Sequence, residues 1–388
     1  MYPHRPRLHY FMFTVLISFC LALLAACGGS GSGGAPAATT SPIEIGWDGP
    51  ITGVNADLGK WDLYGIQLAF DEVNAKGGIH GRQIHLTKYD DTAQPPQGVS
   101  NVERLITQNH IVACMCTPNS GVTLAVEPIL TKAKIAQITP GLTTAITTQG
   151  SSYIFRDTPA GPAFEKPLIT YLVQTMHFTK FAQITSTTAY GLGEVKYQQQ
   201  FLQAFNLTPL GTLQKYNPND TNFTGQLNAI LATNPEVLLL GGEEVTSGLI
   251  AKQARQLGFK GQFAGGAPIG TPTFTKTAGD AANGAIFTNP YITNDKNEQT
   301  KAFASAYQAK WNEAPESHGA KAYDGAQLLI QALNAAYPNI TGETVAAALH
   351  NIHNYQALQG TANFDATGEG FHEAQVGIIK NGAFTPIS

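Results

Sequence analysis

The sequence is poor in charge and has no cluster of basic residues. Charged residues make up 13% of the 388 residues, and the formal net charge is −4. Proteins that bind nucleic acid neutralise phosphates with clustered Lys and Arg, and no Lys/Arg-rich run occurs here. These features argue against a nucleic-acid partner, while a hydrophobic content of 43% is ordinary for a globular protein.

Cysteine is also scarce, with four in the whole chain. Cys114 and Cys116 are separated by one residue in an apolar run, and on a strand both would point to the same face. A disulfide across one residue is sterically unfavourable, so we expect two buried thiols. No His or second Cys pair lies at metal-ligand spacing, so no metal site is predicted.

The common signatures of catalysis are missing as well. Gly191-Leu192-Gly193 lacks the third glycine and the acidic partner of a dinucleotide-binding fingerprint. The sequence contains no Gly-x-Ser-x-Gly elbow, His-Glu-x-x-His motif or P-loop. We therefore predict that the protein is not an enzyme and needs no cofactor.

The N-terminus has the pattern of an export signal. Arg5 and Arg7 precede an apolar run from Phe11 to Ala26, and Leu24-Ala25-Ala26-Cys27 resembles a bacterial lipobox. This pattern predicts a lipoprotein signal peptide at 1–26 and lipidation of Cys27, with an uncleaved membrane anchor as the alternative. Residues 27–42 are rich in Gly, Ser, Ala, Thr and Pro without charge, which predicts a flexible tether.

From residue 43 onward, β-rich runs alternate with segments of helical periodicity. About 346 residues exceed what one core usually supports, so two domains are expected. The alternation predicts parallel sheets with helices on both faces, and it restarts near residue 160. In such sheets ligands bind beyond the carboxyl ends of the strands. The predicted strands include Ile43–Trp47, Ile84–Tyr89, Ile111–Cys116, Ile135–Ile138, Phe181–Ser186 and Glu236–Leu240.

The turns after these strands carry a series of family landmarks. In chain order they are Ile51-Thr52-Gly53, Asp71 to Arg82, Asp90-Asp91, Pro118 to Val122, Ile138 to Gly141, Phe155-Arg156, Ala189-Tyr190-Gly191, Ala254 to Gly258 and Gly279 to Gly284. Together they resemble the branched-chain amino-acid-type binding proteins, which have the type I periplasmic binding protein fold.

The resemblance implies an α/β fold of two doubly wound parallel-sheet lobes joined by three hinge crossovers. The first lobe would comprise 43–158 and 290–358, and the second 159–289 and 359–388. The crossovers would lie near Asp157–Ala160, Asn289–Tyr291 and Ala357–Thr361.

The resemblance also implies a function. The protein would be an exported lipoprotein that captures a small carboxylate-bearing ligand, an amino acid of the branched-chain type, between its lobes. It would deliver the ligand to the permease subunits of an ABC importer and be held at the membrane by its lipid anchor. A binder of an organic or aromatic acid, or a ligand-sensing subunit of a membrane receptor, are the alternatives.

Five positions match ligand-contacting positions of the family. Ser120 matches a serine that holds the ligand carboxylate, and Asn119 precedes it at the start of a predicted helix. Leu142 and Thr143 match residues that complete the carboxylate site. Tyr190 matches a tyrosine that covers the ligand. Leu58 replaces a tryptophan of the leucine binders and supplies a hydrophobic wall. A plain N-cap role for Ser120 is the simpler alternative.

One position departs from the family pattern. An amino-acid ligand needs a carboxylate for its ammonium group, because an unpaired buried cation is costly. The family's acidic position falls on Ala267. Glu243 and Glu244, which follow the preceding strand, are the candidate replacements, although acids at a helix start are often solvated. If neither reaches the cleft, the ligand is an acid without an amine.

Overall fold

A computed structural model describes residues 41–292 and 297–387 of the chain. The predicted signal peptide, Cys27 and the tether up to residue 40 lie outside the described residues. Within the described ranges, none of the helices combines the length and the apolar character needed to cross a bilayer.

Strands and helices alternate along the described chain. The first group of elements is β1 (Ile43–Gly49), α1 (Ala56–Ala75), β2 (Ile84–Asp90), α2 (Pro95–Thr107), β3 (Ala113–Cys116), α3 (Ser120–Ala133), β4 (Ala136–Thr139) and β5 (Ile154–Pro159). The second group is α4 (Gly161–Thr170), β6 (Phe181–Ser186), α5 (Ala189–Ala204), β7 (Gln214–Tyr216), α6 (Thr224–Leu231), β8 (Val237–Gly241), α7 (Glu244–Gln256), β9 (Gln262–Gly265), α8 (Pro272–Ala278) and β10 (Ile286–Asn289). The last group is α9 (Glu298–Trp311), α10 (Ser317–Ala336), α11 (Gly342–His350), β11 (Tyr355–Ala357), β12 (Gly360–Ala362), β13 (Glu369–Phe371), β14 (Gln375–Lys380) and β15 (Ala383–Pro386).

The first sheet has the strand order β13-β5-β4-β3-β1-β2, and its strands pair in parallel. Successive side chains of a strand point to opposite faces, so a strand covered by helices on both sides is apolar throughout. Ala113 and Met115 of β3 join the core that contains residues of α1, α10 and α11. Cys114 and Cys116 join the core formed with α2 and α3. The first sheet is therefore doubly wound.

The second sheet has the order β15-β14-β10-β9-β8-β6-β7. Strands β6 to β10 pair in parallel, whereas β14 and β15 add an antiparallel edge. Leu238 and Leu240 of β8 pack with α6, α7 and α8, while Val237 and Leu239 pack with α4 and α5. This second doubly wound sheet confirms the predicted fold class.

The C-terminal division differs from the prediction, which assigned 359–388 to the second lobe. Strand β13 pairs with β5 of the first sheet. Ala362, Phe364 and Phe371 are buried in the core of that sheet, because their apolar side chains cover its β5 edge. The chain passes to the second sheet only between Phe371 and Gln375, so the third connection lies later than the predicted Ala357–Thr361.

The expectation of two free thiols in β3 was wrong. Both sulfurs do lie on the same face of the strand, as the alternation of side chains requires. The structure joins Cys114 and Cys116 in a disulfide, and both residues are fully buried.

Candidate functional site

A cavity of about 50 Å³ lies where the carboxyl ends of both sheets face each other. Turns after the strands of the first sheet, turns after those of the second and the start of α10 form its walls, as expected for open parallel sheets. The lining residues are Asn55, Leu58, Pro118, Asn119, Ser120, Pro140 and Leu142; Tyr190, Glu243, Glu244, Ala267 and Pro268; and His318 and Lys321.

Ser120 opens α3 at the wall formed by the first sheet, and it is 3% exposed. Its Oγ accepts hydrogen bonds from the amides of Leu142, at 3.0 Å, and Thr143, at 3.4 Å. The side-chain oxygen Oδ1 of Asn119 caps the helix by accepting a hydrogen bond from the Gly121 amide at 3.0 Å. Ser120 therefore keeps its hydroxyl hydrogen for a ligand, beside the positive end of a 14-residue helix.

Glu243 stands on the opposite wall, as the residue before α7. Its Oε1 accepts hydrogen bonds from the hydroxyls of Thr188, at 2.7 Å, and Ser186, at 3.2 Å. Its Oε2 is buried and has no hydrogen-bond partner among the described residues. Burial raises the pKa of Glu243, and the Thr188 hydroxyl opposes that rise. The carboxylate thus offers one oxygen to a donor within the cavity.

Glu244 has a different arrangement. Its Oε1 lies 3.3 Å from Nε2 of His318, which belongs to α10 on the side of the first sheet. The His318 ring in turn stacks on Trp61, with ring planes 2° apart. Both members of the pair are less than a tenth exposed. Glu244 therefore contacts a histidine across the cleft, whereas Oε2 of Glu243 has no partner among the described residues.

Tyr190 covers part of the cavity from the side of the second sheet, and its ring is half-buried. Burial first, and then the charges of Glu194 and Glu165, raise the pKa of the Tyr190 hydroxyl well above its usual value. Burial also raises the pKa of both glutamates. A Cβ on Gly266 would lie 2.6 Å from Oε2 of Glu194, so the Glu194 carboxyl group packs closely against this turn. The Tyr190 hydroxyl consequently stays protonated at neutral pH.

Two further hydrogen bonds join the walls outside the cavity. The Thr273 hydroxyl donates to Oδ2 of Asp57 at 2.5 Å, which links α8 to α1. The hydroxyls of Thr144 and Tyr197 lie 2.5 Å apart and link the turn after β4 to α5. Together with the Glu244–His318 pair, these contacts hold the two walls against each other.

The structure brings six of the seven predicted ligand-contacting residues together at the cavity: Leu58, Asn119, Ser120, Leu142, Tyr190 and Glu243. Thr143 does not line it. The Thr143 carbonyl accepts a hydrogen bond from Arg156, and its hydroxyl lies near the position of a Cβ on Gly193. Ala267 lines the cavity and is fully buried, so no carboxylate stands at the family's acidic position.

Sequence reasoning missed His318 and Lys321. The alanine-rich pattern of α10, the helix that carries them, gave no reason to place its first turns at the strand ends. The available signal was a single lysine among small residues, which is unusual for a helix face that becomes buried.

Among the residues that the structure describes, no cluster of His, Cys, Asp and Glu is suited to hold a metal ion.

Comparisons with known proteins agree with this architecture. A protein of Brucella abortus (strain 2308) named Leu/Ile/Val-binding protein homolog 2 is 29% identical over 362 residues, covering 90% of this chain and 91% of that protein. LivJ of Streptococcus pneumoniae, a branched-chain amino acid transporter substrate-binding protein solved with isoleucine, is 26% identical. Its TM-score is 0.82, and the match covers 89% of this chain and 99% of LivJ.

A third similarity concerns the fold alone. The leucine-binding protein LivK of Thermotoga maritima is 24% identical, with a TM-score of 0.84, and the match covers 89% of this chain and 98% of LivK.

The family described as periplasmic binding protein matches residues 42–383. Its substrate-binding members bind small molecules, work with the permeases of ABC importers and are not enzymes. This chain belongs to the periplasmic binding protein family.

Proposed function

We propose that the protein captures an amino acid of the branched-chain type in the interlobe cleft and delivers it to an ABC importer. The observation that carries the proposal is the placement of two groups in one cavity. The Ser120 hydroxyl and the unpartnered Oε2 of Glu243 lie on opposite walls. An α-amino acid carries a carboxylate and an ammonium, which complement these two groups.

The carboxylate end is supported by Ser120 and its surroundings. A hydroxyl at a helix N-terminus donates a hydrogen bond to an anion in a favourable field. The Leu142 amide, which now donates to Oγ of Ser120, lies at the same wall and is available to turn to a ligand oxygen. Such hydrogen bonds to a charged group contribute about 1.5–3 kcal/mol each.

The ammonium end is assigned to Glu243 in place of the missing acid at Ala267. Oε1 of Glu244 lies 3.3 Å from Nε2 of His318, which leaves Glu243 as the acid with an unpartnered oxygen. Glu243 has one oxygen held by two hydroxyls and the other without a donor. An ammonium group in the cavity would satisfy that oxygen and offset the cost of its burial.

The remaining walls favour an apolar ligand side chain. Leu58, Leu142, Pro140, Ala267 and Pro268 line the cavity with hydrocarbon. The names of two relatives support the same class: the Brucella protein is a Leu/Ile/Val-binding protein homolog, and LivJ was solved with isoleucine. We therefore expect L-leucine, L-isoleucine or L-valine as ligands.

An acid without an amine is the second candidate, and the methyl group of Ala267 favours it. Calorimetric titration with L-leucine and with 4-methylpentanoate, which is leucine without its amine, separates the two. The proposal predicts that L-leucine binds at least about tenfold more tightly, because the analogue leaves Oε2 of Glu243 unpaired. Equal or tighter binding of 4-methylpentanoate would assign the protein to organic acids instead.

Anchoring through Cys27 is part of the proposal and rests on the sequence pattern Leu24 to Cys27. A lipidated cysteine followed by an uncharged tether would keep the binding domain close to a permease. In cells, the protein should partition with membranes, and Cys27→Ala should block lipid attachment. Identical membrane partitioning of both forms, with a mass difference no larger than that of the substitution itself, would exclude the anchor.

A further inference from the structure

Lys321 is a buried cation at the wall of the cleft. It lies in the second turn of α10, its residue is 1% exposed, and it lines the same cavity as Ser120. Several fully buried side-chain atoms lack a hydrogen-bond partner, and Nζ of Lys321 is not one of them. Because Nζ also has no hydrogen-bond partner, it must keep some solvent-accessible surface. We place that surface at the cavity, which the Lys321 side chain lines.

No acceptor within the described ranges pairs with this ammonium. None of their ion pairs within 4.0 Å and none of their hydrogen bonds involves the Lys321 nitrogen. Buried lysines are almost always paired, because an uncompensated charge in the interior is costly. Burial accordingly lowers the pKa of Lys321, opposed first by the negative charge of Glu316.

The acids around Lys321 are occupied or neutralised. Glu316 accepts hydrogen bonds from two backbone amides of the first turn of α10. Asp62 accepts from the indole nitrogen of Trp47 at 2.7 Å, and burial raises the pKa of Asp62 to about 7. Burial raises the pKa of Asp157 well above its usual range, so this carboxyl carries little charge. The surrounding residues therefore leave the ammonium without a close counter-ion.

We infer that Lys321 is the counter-ion of the ligand's carboxylate and makes the cleft select ligands with a free carboxylate. The inference rests on the proposed function in taking the ligand to be a carboxylate. The Ser120 hydroxyl then donates a directional hydrogen bond to one carboxylate oxygen, while the Lys321 ammonium neutralises the negative charge of the carboxylate. With Glu243 on the facing wall, the cavity offers one unpaired group of each sign, which matches a zwitterion.

This arrangement makes a specific prediction about amides. L-leucinamide has the shape of L-leucine and keeps its ammonium, but its carboxamide is neutral and cannot pair with Lys321. The wild-type protein should therefore bind L-leucine more tightly than L-leucinamide by about ten- to hundredfold, the range for one hydrogen-bonded charge pair.

The test is calorimetric titration of the wild type, Lys321→Met and Lys321→Arg with L-leucine, L-leucinamide and 4-methylpentanoate. Lys321→Met should weaken L-leucine about ten- to hundredfold while leaving L-leucinamide within about threefold, so that discrimination is lost. Lys321→Arg keeps the positive charge and should retain part of the discrimination between L-leucine and L-leucinamide. Lys310→Met is the matched control, because Lys310 pairs with Asp71 on the outside of α9, and it should bind as the wild type does.

The other results separate the inference from the proposed function. If Lys321→Met binds L-leucine as the wild type does, or loses both ligands equally with an unchanged melting temperature, Lys321 is not the counter-ion. If the wild type binds only 4-methylpentanoate and Lys321→Met weakens it, the amino-acid proposal fails while the inference stands. If no carboxylate binds, both are wrong.

Discussion

Nε2 of His318 lies 3.3 Å from Oε1 of Glu244, and this contact joins α10 of the first lobe to α7 of the second across the cleft. Both side chains are buried, so the pair is shielded from salt more than a surface pair is. An attraction present only in the closed arrangement favours the closed population. We therefore expect this pair to link ligand capture to the contact between the lobes.

Glu244→Gln should weaken ligand binding by about tenfold, because a neutral amide weakens the contact with His318 that joins the lobes in the closed arrangement. Calorimetry measures the affinity, and small-angle scattering of the ligand-free protein should give a larger radius of gyration. Glu343→Gln removes an exposed pair with Lys134 within the first lobe and serves as the control. An unchanged affinity and radius in Glu244→Gln would separate this pair from closure.

Ser120→Ala should weaken capture of any carboxylate by about 1–3 kcal/mol, the contribution of one hydrogen bond to a charged group. The substitution also leaves the amides of Leu142 and Thr143 without their present acceptor. Ser151→Ala, remote from the cleft, is the control. Calorimetric affinity equal to that of the wild type would remove Ser120 from the site.

Glu243 should make binding depend on pH. Burial raises the pKa of this carboxyl above the usual glutamate value of about 4.3, and an ammonium ligand needs its ionised form. Affinity should therefore rise with pH through the raised pKa, and below it binding should release a proton. Titrations in two buffers of different ionisation enthalpy measure that release. Glu243→Gln should bind more weakly and show neither effect; the same pH profile in this variant would assign the proton elsewhere.

Buried acids should lower stability as pH rises. Burial raises the pKa of Asp48 to about 8, and burial raises the pKa of Asp324 to about 7. The folded state then binds more protons than the unfolded state between the usual aspartate pKa of about 3.9 and these values. The free energy of unfolding should thus fall from about pH 4 to about pH 8. Denaturant titrations across this range measure it.

Asp48→Asn should reduce that fall, because the amide keeps an oxygen for the hydrogen bond from Asn101 and cannot ionise. Glu103→Gln, at an exposed side chain of α2, is the comparison and should leave the slope unchanged. A stability that rises with pH in the wild type would contradict the expected protonation of these buried acids.

Local pattern predicted most of the parallel strands and the helices between them. The prediction for Phe181–Ser186 matches β6 residue for residue, because Phe181, Ile184 and Thr185 are residue types that favour strands. Short elements were missed, including β7 and α8, since three to seven residues carry too little periodicity. The return of β13 to the first sheet depends on long-range pairing with β5, which no local pattern encodes.

The residues of the candidate site likewise fall into those that local sequence predicted and those that depend on long-range contacts. Ser120, Leu142 and Tyr190 were predicted because they follow strands and match family positions. Whether Glu243 or Glu244 is free depends on His318, which is 74 residues further along the chain from Glu244 and reaches it only in the folded protein. Lys321 was missed for the same reason. The acids that surround its side chain come from α1, β5 and the start of α10, which meet only in the folded protein.

A crystal structure of the protein with L-leucine tests the central claim most directly. The account predicts a ligand in the cleft with its carboxylate bound to the Ser120 hydroxyl and the Lys321 ammonium, and its ammonium bound to Oε2 of Glu243. A ligand whose amine points to the first lobe, or density for L-leucine outside the cleft, would contradict it.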